Sequence, residues 1–148
     1  MRLPAALSVA ILLGSPAAAD PARDFLAVGE AACAEFDGGT FNPGDAVTRI
    51  DLTGDGELDT LVDESRFSCS TASSLYCGSG GCMLHGIVAE AVTSWQATGW
   101  RTIEWAPDTI LLIGRDGGWC GGAGSDVCYE ALKWSNDRFL SVMPSGPE

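Results

Sequence analysis

Positive charge is scarce in this chain. Its 148 residues carry 8 Lys and Arg against 20 Asp and Glu, with Lys133 the single lysine and His85 the single histidine. The formal charge is −12. Such a chain repels phosphate backbones, which argues against nucleic acid as a partner and favours metal ions or cationic surfaces. No Cys-x-x-Cys occurs, so thioredoxin-type redox chemistry has no motif to stand on. No Gly-x-Ser-x-Gly elbow occurs either, the "GSGG" at 78–81 lacking the spacing. No apolar run approaches the ~20 residues that span a bilayer. Repeats, low-complexity linkers and a second domain are also missing.

What the chain does have begins with its first residues, "MRLPAALSVAILLGSPAAAD". Arg2, the short apolar run Leu7 to Leu13 and Ala17-Ala18-Ala19 have the charge, length and small-residue cut site of a secretory leader. The expected organisation is a signal peptide over 1–19 and a single exported domain over 20–148. An uncleaved anchor is the competing reading, and the shortness of the run weighs against it. No Cys closes the run, which argues against a lipoprotein anchor. Removing Arg2 makes the chain one unit more acidic. Acidity is also uneven: residues 20–64 hold twelve acids and two bases, residues 65–148 eight and five.

All six cysteines, Cys33, Cys69, Cys77, Cys82, Cys120 and Cys128, follow the leader. An even number in an exported chain implies a disulfide framework. Six cysteines allow fifteen pairings, and spacing alone does not choose. Short loops favour Cys77–Cys82 and Cys120–Cys128, which leaves Cys33–Cys69. A zinc site from Cys69, Cys77, Cys82 and His85 is the alternative, with irregular spacing and an oxidising compartment against it.

Residues 20–36 read as a helix. Asp20 can cap it, Pro21 suits its first turn and Asp37-Gly38-Gly39 stops it. Phe25, Leu26, Gly29, Ala32, Cys33 and Phe36 fall on one stripe at helical spacing. Beyond Gly39 the pattern is of short strands rich in Val, Ile, Thr and aromatics: 46–52, 58–65, 83–95, 100–105, 109–115, 127–134 and 138–144, with a turn near Ala97-Thr98-Gly99. The expected fold is mainly β (α+β), with one N-terminal helix packed on an antiparallel sheet or small sandwich or barrel, and three disulfides. The final "SGPE" is expected to fray.

Between the first two strands lies "DLTGDGELD" (51–59). Hard cations such as calcium take six to eight oxygen ligands in a flexible loop. Asp51, Asp55 and Asp59 offer carboxylates, Thr53 a hydroxyl and Glu57 its backbone carbonyl, while Gly56 permits the bend. The bland alternative is an exposed acidic turn, for which "TGDG" is also suited. The stretch resembles the first nine positions of the EF-hand calcium loop, and equally the calcium loops of integrin-type propeller repeats. The resemblance implies a bound, structural calcium, with weak extracellular-type affinity. It departs from the EF-hand at the twelfth position, where Val62 stands in place of Glu with Asp63 one place on, and its flanks read as strands.

Three segments together, "DLTGDGELD", "CGSGGC" (77–82) and "GGWCGGAGSDVCYEALKW" (117–134), resemble uncharacterised small exported bacterial proteins, over most of the chain after the leader. That resemblance implies export, cysteine staples and a metal loop, and brings no activity with it.

Five tryptophans are many for this length. Trp100 and Trp105 differ in parity along one strand, so one of them faces out. The Gly-rich loop 114–126 carries Trp119 above the 120–128 cysteine pair, the form of a rigid loop with one aromatic anchor for a partner. The ordinary role for such residues is packing. His85, in an apolar strand, reads as a packed residue before it reads as a base. The residues point away from catalysis. The expected function is a non-catalytic periplasmic or secreted domain with one structural calcium loop, serving binding or envelope maintenance on an unidentified protein or glycan of the cell envelope. Two alternatives remain: an acidic inhibitor of a cationic hydrolase such as lysozyme, and a small hydrolase with a carboxylate near His85. The second requires a concave pocket beside that histidine.

Overall fold

The computed structural model describes residues 20–142. The leader, the end of the last expected strand and the closing "SGPE" lie outside those residues. The first element, helix α1 (Pro21–Glu35), begins where Asp20 caps it, its Oδ1 accepting the Ala22 N–H at 3.2 Å. It ends as Asp37 and Gly38 turn left-handed, at φ 54° and 66°. Ala22, Gly29 and Cys33 form its buried stripe. Gly29 is there for closeness: a Cβ would sit 3.1 Å from Phe67 and 3.2 Å from Phe41. Phe36, expected on the same stripe, is instead exposed, because it follows the last helical residue and the chain has already left the helical path.

Eleven strands follow: β1 (Phe41–Asn42), β2 (Val47–Ile50), β3 (Asp59–Asp63), β4 (Ser68–Cys69), β5 (Cys77–Gly78), β6 (Gly81–Val88), β7 (Ala91–Ala97), β8 (Gly99–Trp105), β9 (Asp108–Arg115), β10 (Cys128–Ser135) and β11 (Arg138–Val142). All pairings are antiparallel. The first large sheet has the order β2-β3-β6-β5, with β7 paired along β6; the second has the order β11-β10-β9-β8; β1 and β4 form a short ladder of their own. This is a mainly β, α+β fold with one N-terminal helix on an antiparallel sheet.

Two points differ from the sequence reading. The run 83–95 is not one strand but a hairpin. It breaks at Ala89 and Glu90, with Ala89 at φ 52°. That turn carries no Gly or Asn, so the usual signal for positive φ is missing. The turn at 97–99 is not a hairpin either. Thr98 alone separates β7 in the first sheet from β8 in the second, and its N–H donates to the Gly114 carbonyl at 2.8 Å.

The sheets stack on a core of Leu52, Leu61, Leu84, Trp95, Leu111, Ile113 and Leu132, with Trp100 and Phe139 against it. A second cluster lies beneath the helix: Ala22, Ala46, Val62, Phe67 and Ile87, with Phe25, Leu26, Phe41 and Tyr76. The first sheet is therefore the middle of three layers. Disulfides join Cys33–Cys69, Cys77–Cys82 and Cys120–Cys128, the pairing that short loops favour. Cys33–Cys69 fastens α1 to β4. No described helix is long and apolar enough to cross a membrane.

Candidate functional site

The acidic stretch forms the loop from β2 to β3, at the end of the first sheet. Its carboxylates are held by the backbone. Asp51 Oδ1 accepts the N–H groups of Thr53 at 3.1 Å and Gly54 at 2.6 Å, and Oδ2 accepts that of Gly56 at 2.9 Å. Asp55 Oδ1 accepts the Glu57 N–H, and Asp59 Oδ2 accepts the Leu52 N–H, both at 2.8 Å. Thr53 Oγ1 accepts the Asp55 N–H at 3.3 Å. The glycines make this possible, Gly54 and Gly56 standing at φ 82° and 90°. Gly54 also lets the loop press on the β8–β9 turn, where a Cβ would lie 2.4 Å from the Pro107 carbonyl oxygen.

The electrostatics of the loop are divided. The amides of Gly56 and Gly54 hold the Asp51 carboxyl below its ordinary value. Burial pushes Asp59 up despite the Leu52 amide, and the charges on Asp55 and Asp51 add to that rise. Among the described residues, no three His, Cys, Asp or Glu side chains are gathered as metal ligands would be. The donor chemistry still fits a hard cation. A carboxylate offers about four lone-pair sites, and the hydrogen bonds above leave one free on Asp51 Oδ2 and leave Asp55 Oδ2 and Asp59 Oδ1 unengaged. Asp63, the one acid near the EF-hand's twelfth place, is spent elsewhere: it caps Ser65 at 2.9 Å and accepts from Trp100 Nε1 at 2.9 Å. Val62 is wholly buried. Any ligand set in this loop ends at Asp59. A cavity of about 390 Å³ separates the loop from the start of α1 and the β6–β7 turn, and Asp55, Glu57 and Asp59 line it together with Asp20 and Glu90.

His85 is packed. It is 4% exposed, stacks on Phe25 with ring centroids 3.7 Å apart, and has Ser94 Oγ 2.7 Å from Nδ1 and Glu64 Oε1 3.0 Å from Nε2. Glu64 is the carboxylate nearest the ring in its hydrogen bonds. Ser94 could be found only through the β6–β7 register, in which it faces His85. Phe25, Ser94 and Glu64 together close in the ring.

Trp119 stands on the short 3-10 turn Gly117–Cys120 and is 54% exposed. Its other face is occupied: the Arg115 guanidinium lies 4.5 Å from the ring centroid. Arg115 is itself buried, donating to Glu130 at 2.6 Å and to the Gln96 carbonyl at 2.5 Å. Cys120–Cys128 ties the turn to β10. Sequence reasoning named Trp119 but not Arg115 and Glu130. Their pairing follows from the β9–β10 register. Of the strand pair Trp100 and Trp105, Trp105 is the outward one, 72% exposed.

No protein-family model, curated protein or solved structure matches the chain.

Proposed function

We propose that the chain is a non-catalytic, exported binding domain of the periplasm or the medium, held in shape by its three disulfides and by one calcium ion in the loop Asp51–Asp59. The metal reading is supported by the oxygens that the backbone leaves free on Asp51, Asp55 and Asp59 within one loop; burial first, and then the charges of Asp55 and Asp51, disfavour the charged form of Asp59 there. A divalent cation coordinated by Asp51, Asp55 and Asp59, with Thr53 Oγ1 and the Glu57 carbonyl, would relieve that repulsion and tie the loop on which β2 and β3 pair. The packing of His85 supports a role without catalysis. The leader expected at 1–19 and the three disulfides support export.

Calcium titrated into chelator-treated protein is expected to give a binding heat and a rise in melting temperature, with a midpoint at ~10⁻⁴–10⁻³ M. Asp55→Asn should weaken both. Absence of heat and of any thermal shift at millimolar calcium would remove the metal from the proposal.

A second reading rests on Trp119, held rigidly on a tethered turn of an acidic protein: inhibition of a cationic hydrolase such as lysozyme. Acidic charge would speed encounter at low salt. Lysozyme activity unchanged by excess protein at low salt would end it.

A further inference from the structure

The second sheet turns one face to the core and leaves the other bare. Strand register fixes what stands there. Gly99, Gly114 and Tyr129 share one row across β8, β9 and β10; Arg101, Leu112 and Ala131 share the next. Ile103, Ile110, Lys133 and Leu140 form a third, and Trp105 and Arg138 close the far end. The face is apolar and aromatic, with Trp105 at 72%, Tyr129 at 59% and neighbouring Val127 at 50% exposure. Helix α1 gives it no cover, since it packs on the other sheet.

Its charge runs against that of the whole chain. Seven basic residues follow Asp20, and three of them, Arg101, Lys133 and Arg138, are on this face. Among the described strand positions that the register turns to this face, Asp108 is the one carboxylate, 2.7 Å from Lys133; Glu104 and Glu130 stand at positions of the other face. Arg101 has no ion-pair partner among the described residues. At physiological ionic strength charges act over about 8 Å, so the unpaired guanidinium of Arg101 is the cation this face offers beside the cleft.

The first row also makes a seat. Gly99 and Gly114 floor a cleft of about 450 Å³, with Leu112, Val127 and Tyr129 as its walls and Arg101 at its side. A Cβ at Gly99 would meet nothing within 4 Å and would project into open space.

We propose that this face binds an acidic polysaccharide, with one uronate-type ring in the cleft. The sugar's C–H face lies on Tyr129 and Leu112, its carboxylate meets the planar fork of Arg101, and the chain runs on towards Lys133 and Arg138. An aromatic wall beside a guanidinium suits a ring bearing a carboxylate better than it suits a bare anion, for which the ring would be idle. Three cations on an otherwise strongly acidic molecule are fewer than the clusters of about four to eight that hold proteins on anionic bilayers. A second copy of the chain would bring the same excess of negative charge. The inference rests on the reading of the chain as a binding domain, and not on its calcium.

The test uses the exported chain with its disulfides intact, titrated with oligogalacturonate and, in parallel, with a neutral malto-oligosaccharide of equal length. Binding of the acidic oligomer is expected, weakening from low salt to about 0.15 M, with the neutral oligomer about tenfold weaker or more. Arg101→Gln and Tyr129→Ala, both at exposed positions, should each cost about tenfold. Glu35→Gln, an exposed acid at the end of α1, should change nothing. Equal binding of both oligomers, indifference to Arg101→Gln, or no binding at all would overturn the proposal, as would sedimentation showing that the face is buried between two copies. A calcium titration on the same sample separates the two ideas: a thermal shift with calcium and no oligomer binding would sink this site and leave the metal-clamped domain standing.

Discussion

The two sheets solve different problems with similar residues. In the first, β3 has Leu61 and Val62 both at 0% exposure, although neighbours on a strand point to opposite faces. One side meets the second sheet, the other meets α1. In the second, β9 alternates: Leu111 and Ile113 are buried, while Ile110 and Leu112 are half-buried on the open side. A strand buried on both faces reads as a continuous apolar run, and one buried on a single face keeps its other row free for a partner. The first sheet is packed on both sides, the second on one.

The staples offer the strongest way to break that contrast. Cys33–Cys69 spans 36 residues and fixes the helix over the doubly buried sheet, whereas Cys120–Cys128 spans 8 and fixes only a surface turn. By loop-closure entropy, replacing the first pair with alanines should cost about 4 kcal/mol and the second about 2.5. Denaturant unfolding of the two double variants measures the gap. Equal losses would mean that the helix layer contributes little to the fold.

Next in size is a pair of truncations. Leu61→Ala should cost about 2–5 kcal/mol, because it opens a cavity between two packed layers. Leu112→Ala, on the open face, should cost about 1 kcal/mol or less. The same unfolding experiment reads both. A cost at Leu112 close to that at Leu61 would show the outer face to be covered in solution, which would itself identify a partner or a second copy.

Much of this contrast is legible in the residues. Helical spacing from Phe25 to Cys33 and the stop at Asp37-Gly38 define α1 nearly to its ends, and loop lengths favour the observed disulfides. The opposite parity of Trp100 and Trp105 already places one of them outside. What is hidden depends on which strands meet. Ala89-Glu90 turns without a turn residue, so one apolar run conceals two strands and with them the His85–Ser94 pair. The change of sheet at Thr98 is invisible because a one-residue link looks like any tight turn. The acidic loop stands out in the residues as an expected metal loop, while nothing in them shows that backbone amides already engage Asp51. Side chains announce the charges; only the fold of Gly54 and Gly56 says what meets them.

The smallest effect, and the one that best separates a clamp from a solvated turn, concerns the two ends of that loop. Asp51 lies below the ordinary 3.8 in the folded chain, chiefly through the Gly56 and Gly54 amides. Its contribution to stability is therefore present above 3.8 and lost as pH falls through the lowered value. Asp59 lies above 3.8, through burial first and the charges of Asp55 and Asp51 after it. It favours the folded state below 3.8, and that advantage is lost as pH rises through the raised value. In chelated protein near pH ~7, Asp51→Asn should then lower the melting temperature and Asp59→Asn should raise it, the amide oxygen still accepting from Leu52. The Asp59 difference should fade as pH falls through its raised value to about 3.8, and the Asp51 difference only at lower pH. Calcium should reverse the second sign, because the ion turns the repelling carboxylate into a ligand. Two melting curves per variant, with and without calcium, decide it: if Asp59→Asn gains stability equally in both, the loop is an acidic turn fastened by its own amides and holds no ion.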